Sequence, residues 1–314
     1  MSQTIIQCKN ISHSFSNITA LNKVNFEINA GEPIGLVGPN GAGKTTLFNI
    51  LCGYLRPSNG SVSLFGYQPG ASELSGKISA LPQDAQFDPN FSIGEQLIFY
   101  ARLQGFSKGG AKSEVSRVLE AVDLSATFNK KPKTLSHGMG KRIAIAQSFI
   151  GLPQLIFLDE PTAGLDPVNT RIIRSLITEY SKKTTFIISS HDLTELGRVC
   201  QQVLMLDKGE MSATHLTTTD AKNTKQFLTL QLETYPATEV INTILQLTGV
   251  IQVSTPQKNE YIVEYDTEQV SNIDAKIIML LSEKNWHYRQ LSRGKTLEEK
   301  LFFEKNNIKS MIFI

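Results

Sequence analysis

The sequence predicts an α/β fold, with a parallel sheet threaded by helices, followed by a smaller α+β unit. Three observations carry this prediction. Short apolar runs alternate with helical patterns up to about residue 206. A polar stretch over residues 214–225 then interrupts the pattern. Beyond it, strands and helices follow in the order βαββαβ over residues 227–291.

Residues 4–9 and 24–28 alternate and read as strands of a small antiparallel sheet. Residues 33–37 form an apolar strand ending at Gly38. A helix over 44–55 follows, and Arg56-Pro57-Ser58-Asn59-Gly60 ends it with turn chemistry. Further strands read at 62–65 and 78–81. Apolar spacing of three and four marks helices at 93–103, 112–122 and 138–150, a helical subdomain over about 88–150. The run at 155–158 is too short for a helix and suits a strand buried on both faces. Helix 170–180, strand 185–189, helix 193–199 and strand 202–206 complete the parallel sheet.

The expected division is 1–222 and 223–314. In the second part, strands at 227–233, 250–254, 261–265 and 286–291 alternate with helices at 237–247 and 269–284, a ferredoxin-like arrangement. Thr296 and Glu299 form a capping box that opens a last helix.

Composition narrows the classes. Hydrophobic residues at 40% and charged residues at 19% support a sizeable core and argue against bulk disorder. The net charge of +2 gives no reason to expect a nucleic-acid partner. Cys8, Cys52 and Cys200 show no metal or CxxC spacing and read as reduced, mostly buried thiols of a cytosolic protein. No signal peptide is evident at the N-terminus, and no run of about 18 apolar residues suggests a membrane helix. Work at a membrane would need another subunit.

The first chemical motif is Gly38, Pro39, Asn40, Gly41, Ala42, Gly43, Lys44 and Thr45, with Thr46 behind it. It matches GxxxxGK[ST], the P-loop, between a strand and a helix. Glycines let successive backbone N–H groups turn inward onto phosphate oxygens. Lys44 offers a point charge to the β- and γ-phosphates, and Thr45 a hydroxyl to Mg²⁺. The helix start adds its positive dipole end. These residues predict a nucleoside triphosphate and Mg²⁺ as ligands.

The second is Asp159-Glu160, delivered by the apolar strand 155–158 about 120 residues later. Two carboxylates at a strand end fit the other half of a phosphoryl-transfer site. Asp159 would hold Mg²⁺, and Glu160 would orient or deprotonate the attacking water.

Further motifs fall in order. Gln83 follows the strand at 78–81. Leu135-Ser136-His137-Gly138-Met139 precedes a helix, with Arg142 after it. Ala163-Gly164-Leu165-Asp166 follows the acidic pair, and His191 follows the strand at 185–189. With these residues, 1–220 resemble the ATP-binding subunit of an ABC transporter. Leu135–Met139 stands for its signature LSGGQ, Gln83 for the Q-loop glutamine, 163–166 for the D-loop and His191 for the switch histidine. Phe15 lies where an aromatic residue stacks on adenine.

The resemblance implies that Gln83 contacts Mg²⁺ and water, that His191 contacts the γ-phosphate, and that Ser136 and Gly138 reach the γ-phosphate of a second copy. His137 and Met139 depart from the pattern, replacing a glycine and a glutamine; the histidine could add a donor there. The resemblance further implies a homodimer enclosing two ATP molecules. It implies a separate integral-membrane permease docking near 84–110, and a place on the cytoplasmic face of the cell membrane. The small C-terminal domain and the Thr296-Leu297-Glu298-Glu299 segment are similar to those of ABC-2-type exporters. A soluble ABC protein of the translation-factor type would carry two ATPase halves and a basic linker. A chromosome- or repair-type ATPase would carry a long coiled coil between P-loop and signature. This chain has one P-loop, and only about 90 residues separate it from the signature.

Overall fold

The computed structural model describes residues 3–190, 193–200, 202–215 and 225–294. They belong to two compact units, Met1–His215 and Leu216–Ile314.

The first unit opens with two long strands, β1 (Thr4–Phe15) and β2 (Ile18–Asn29), paired antiparallel. Both run past the expected 4–9 and 24–28. Their register shifts at several points between Thr4 and Ser14, and each bulge interrupts the period-two pattern that marks a strand in sequence. After β3 (Ile34–Val37) and α1 (Lys44–Leu51), β4 (Asn59–Leu64) joins the other edge of β1. Helix α1 stops at Leu51 instead of reaching 55. Gly53 turns the chain with φ 79°, and a Cβ there would sit 2.8 Å from the backbone nitrogen of Gly70. Asn59 and Gly60, expected in the turn, belong to β4.

There follow β5 (Ile78–Leu81), α2 (Ile93–Leu103), α3 (Lys108–Ala121), α4 (His137–Ser148) and β6 (Leu155–Asp159). Then come α5 (Pro167–Tyr180), β7 (Thr185–Ser190), α6 (Leu193–Leu196), β8 (Gln202–Asp207) and β9 (Glu210–His215). The central sheet has the order β5-β6-β7-β3-β8-β9; the first five strands are parallel and β9 is antiparallel to β8. Every residue of β6 and β7 is buried, as parallel strands covered on both faces require. Strand β9 falls partly in the stretch expected to be a polar boundary. Its signal was the two-residue turn Lys208-Gly209, both at positive φ, which is the hairpin type.

One apolar cluster joins the two sheets through α1: Ile6 and Leu21, Leu36 of β3, Leu47 and Phe48 of α1, and Phe157 of β6. The helical subdomain α2–α4 is tied to the rest by Arg117 on α3. Its guanidinium donates to both carboxylate oxygens of Glu114 (2.9 and 2.6 Å), to the Phe149 carbonyl (2.8 Å) and to the Tyr180 hydroxyl (3.1 Å). Those bonds from Arg117, with one from the Gly151 amide, hold the Glu114 carboxyl below the usual carboxylate range against the opposing effect of burial.

The second unit contains β10 (Lys225–Leu232), α7 (Ala237–Leu245), β11 (Val250–Ser254), β12 (Glu260–Asp266), α8 (Ile273–Glu283) and β13 (Tyr288–Arg293). Its antiparallel sheet runs β11-β12-β10-β13. The first and third strands lie in the middle, which is the ferredoxin-like order. Helix α8 starts at Ile273, later than 269, because Asp266 first makes a turn. Its carbonyl accepts from Gln269 and Val270, and its carboxylate from the Glu268 amide at 2.9 Å. The capping box at Thr296 and Glu299, and the helix expected after it, lie outside the described residues.

Candidate functional site

Strand β3 ends at Val37 and the P-loop begins. Gly38 is buried, and a Cβ there would fall 2.1 Å from the Leu206 carbonyl oxygen of β8. Gly43, with φ 106°, would bring a Cβ within 2.4 Å of the Ala20 carbonyl of β2. Only glycine fits both places. The hairpin turn of β8–β9 closes the loop from outside: the Gly209 amide donates to the Ala42 carbonyl (3.1 Å), and the Asn22 amide to Gly209 (2.8 Å).

Helix α1 starts at Lys44 with no side-chain cap and no acidic residue in its first turn. Its positive dipole end is therefore uncompensated and suited to an anion. The buried Lys44 folds back over the loop, its Nζ donating to the carbonyls of Gly38 (2.6 Å) and Pro39 (3.2 Å). Asn40, Gly41 and Thr45 are exposed, and Thr46 is half-buried.

Asp159 and Glu160 emerge at the end of β6. One strand, β7, separates β6 from β3, so the acidic pair and the P-loop leave the same sheet edge about 10 Å apart. Both side chains are buried. The Ser189 hydroxyl of β7 donates to Asp159 Oδ1 and accepts from the Glu160 amide at 2.9 Å. Glu160 itself has φ 48°, a left-handed backbone that a residue with a side chain adopts at a cost. One hydroxyl thus fixes both a carboxylate and the turn after it. Ser189 was legible only as part of a strand. Its pairing opposite Asp159 depends on sheet order. His191, next after Ser190, lies outside the described residues.

The signature residues lie elsewhere, at the start of α4. Ser136 is the N-cap, its hydroxyl accepting from the Met139 amide at 3.2 Å. Gly138 is buried against Asn169 of α5; a Cβ there would stand 2.5 Å from Asn169 Nδ2. Asn169 is in turn held by Asp166, through its backbone (2.9 Å) and its amide (2.6 Å). Bonds from Asn169 keep the Asp166 carboxyl below its usual range. His137 is exposed, with Nε2 3.6 Å from the Cβ position of Gly164. Gln83 is exposed just past β5, and its carbonyl accepts from Lys141 Nζ of α4 at 2.7 Å. Gln83, Phe87, Ser136, His137, Lys141 and Gly164 line an open cleft of about 640 Å³. Asn169 and Lys141 had no motif to announce them. Phe15, at the end of β1, is 49% exposed, and its ring meets His13 edge-on at 4.6 Å.

The expected residues therefore form two groups. The P-loop, Asp159 and Glu160 share one edge of the sheet. Gln83, Ser136 and His137 line the α4 cleft with the D-loop glycine, and Gly138 is buried against Asn169. Among the described residues no three His, Cys, Asp or Glu side chains gather as a metal cage. The donors offered are the Thr45 hydroxyl and the Asp159 carboxylate. They fit Mg²⁺, which takes one or two protein oxygens and fills its shell with water and phosphate. No helix among the described residues is long and apolar enough to cross a membrane.

Comparison with known proteins places the chain among ATP-binding cassettes. A family profile described as ABC transporter matches residues 21–163. A second, described as AAA domain, putative AbiEii toxin, Type IV TA system, matches 131–197. The linearmycin resistance ATP-binding protein LnrL of Bacillus subtilis is 32% identical over 212 residues, 67% of this chain and 68% of the relative. The ABC transporter ATP-binding protein YdbJ of the same organism is 30% identical over 283 residues, 88% of this chain and 89% of the relative. The Nod factor export ATP-binding protein I of Rhizobium etli is 32% identical over 219 residues, 68% of each chain. Among solved structures, a dimeric ATP-binding cassette in a post-hydrolysis state with ADP and Pi matches with TM-score 0.63 at 25% identity. It covers 68% of this chain and 99% of that one.

Proposed function

The chain belongs to the ABC transporter ATP-binding family and is an ABC-type ATPase, and from that premise we propose that two copies close on two ATP molecules to drive export through a separate membrane permease. The observation that carries the proposal is the separation of the two groups. The P-loop with its acidic pair sits at the sheet edge, and the signature sits in the α4 cleft. Each copy then supplies half of each site. The similarity to a dimeric cassette supports this reading, as do relatives named for linearmycin resistance and Nod factor export.

In this reading the amides of Gly41, Ala42, Gly43, Lys44, Thr45 and Thr46 cradle the phosphates behind Gly38, Pro39 and Asn40. Lys44 exchanges two carbonyls for phosphate oxygens, a charge-assisted and therefore stronger partnership. Thr45 and Asp159 would hold Mg²⁺, which would supply charge neutralisation at the phosphates when bound; Gln83, expected as a further contact, lines the α4 cleft in this state. Glu160 takes the proton of the attacking water, and His191 contacts the γ-phosphate. Phe15 offers its open ring face to adenine. From the second copy, Ser136 donates to the γ-phosphate; its hydroxyl can accept from Met139 and still give its own proton. The amide of Gly138 and the exposed ring of His137 complete that side.

Moving the pair from 1:99 to 99:1 closed needs about 5.5 kcal/mol of differential binding. Loss of the γ-phosphate removes the bridging contacts and reopens the dimer. Phe91, Phe99 and Leu103 are large and exposed in or beside α2, within the surface assigned to the permease. The protein then works on the cytoplasmic face of the membrane, with no nucleic acid involved. Residues 1–222 carry the ATPase and 223–314 an accessory domain.

Purified Glu160→Gln protein should retain ATP and sediment as a dimer, with hydrolysis reduced about 10²–10⁴-fold. A monomer that hydrolyses ATP at the unmodified rate contradicts the role given to Glu160. Recovery of ribosomes in place of a polytopic membrane protein on co-purification would favour the translation-factor class.

A further inference from the structure

Phe15 stands at the tip of the β1–β2 hairpin, opposite Ile18 in the ladder, and both side chains are exposed. An exposed ring at a hairpin tip moves between rotamers. A ligand that stacks on it must first stop that motion, at a cost in affinity. Two residues back along β1 is His13. Among the described polar residues of β1, β2 and β4, it alone is buried.

The His13 ring meets Phe15 edge to face, with centroids 4.6 Å apart and planes at 71°. Its Nδ1 lies 3.4 Å from the Ser58 hydroxyl, which also accepts from the Ser14 amide at 3.5 Å. Ser58 is anchored by its own amide, which donates to the Ser12 carbonyl at 2.8 Å. Both hydroxyl contacts are long, so burial fixes His13 more than hydrogen bonding does. In the ladder His13 pairs with Leu21. The Ala20 carbonyl and Leu21 Cδ2 stand close against the Cβ position of Gly43. The part of β2 that faces His13 therefore also backs the phosphate cradle. From Ile18 to Leu21 is about 10 Å of strand. One hairpin carries an aromatic platform at its tip and a wall of the P-loop three residues on.

We propose that His13 is a positioning residue for the nucleotide: its buried ring sets the orientation of Phe15, so that the base meets a ring already in place. This role rests on the stacking of adenine on Phe15. His13 touches neither base nor phosphate. It strengthens ATP binding and leaves the chemical step alone, because an interaction made equally in the ground and transition states changes KM and not kcat. An aliphatic side chain fills the same space without the aromatic contact, whereas a phenyl ring supplies it.

ATP hydrolysis by variants of the full chain tests this. His13→Leu should raise KM for ATP about three- to tenfold with kcat unchanged, and His13→Phe should restore KM. Phe15→Ala should raise KM at least as much. The double variant should be no worse than Phe15→Ala alone, since His13 acts only through that ring. Inorganic tripolyphosphate, which enters the cradle without a base, should inhibit the His13→Leu and unmodified proteins equally. An unchanged KM in His13→Leu, beside a raised KM in Phe15→Ala, overturns the role of His13 and leaves the stacking standing. An unchanged KM in Phe15→Ala overturns the stacking, and the role of His13 with it. A fall in kcat, or weaker inhibition of His13→Leu by tripolyphosphate, would make His13 a support of the P-loop and equally contradicts the proposal. If His13→Leu does not fold, His13→Gln, which also lacks a ring, is read in the same way.

Discussion

The P-loop and the signature are both glycine-bearing helix starts, yet they are built in opposite ways. At the P-loop, Gly38 and Gly43 are wedged against backbone carbonyls of β8 and β2, and no side chain caps α1. At the signature, Gly138 is wedged against the side chain of Asn169, and Ser136 caps α4 with its own hydroxyl. The first site is moulded by the sheets and cannot shift without them. The second rests on the start of α5, so signature and D-loop share one support. A composite site built from the two would pair a rigid half with an adjustable one.

The comparison can be broken most severely at Lys44. Lys44→Ala should weaken ATP binding and cut hydrolysis by about 10²–10³-fold, with a loss of about 1–3 kcal/mol of stability, since the buried Gly38 carbonyl loses its donor. ATP titration and phosphate release measure the first two effects, and a melt the third. Unaltered ATP affinity would remove Lys44 from the cradle. The smallest effect belongs to Ser136→Ala. Loss of the cap should cost about 1 kcal/mol, a shift of roughly 2–4 °C in melting. ATP affinity of the separate chain should stay the same, because this serine serves the other copy.

Much of this was legible in the sequence, and the reasons are specific. The P-loop and the strand before Asp159 are local patterns, and local patterns survive translation into structure. The ferredoxin-like order of the second unit followed from its alternation of strands and helices. What escaped depends on contacts between distant segments. Ser189 matters because β7 lies beside β6. Asn169 matters because α5 passes under Gly138. Lys141 reaches the Gln83 carbonyl across 58 positions of sequence. Strand β9 was hidden because its polar residues resemble a linker, although the Lys208-Gly209 turn announced it. The long β1 and β2 were cut short by bulges that disturb their alternation.

Mixing two defective chains tests the division of labour most directly. Lys44→Ala removes the cradle and leaves the signature; Gly138→Ala drives a methyl into Asn169 and leaves the cradle. Each alone should hydrolyse ATP at background rate. An equal mixture should recover about a quarter of the unmodified activity, because half of randomly paired dimers regain one of two sites. A mixture no faster than the sum of its parts would contradict a site shared between two copies.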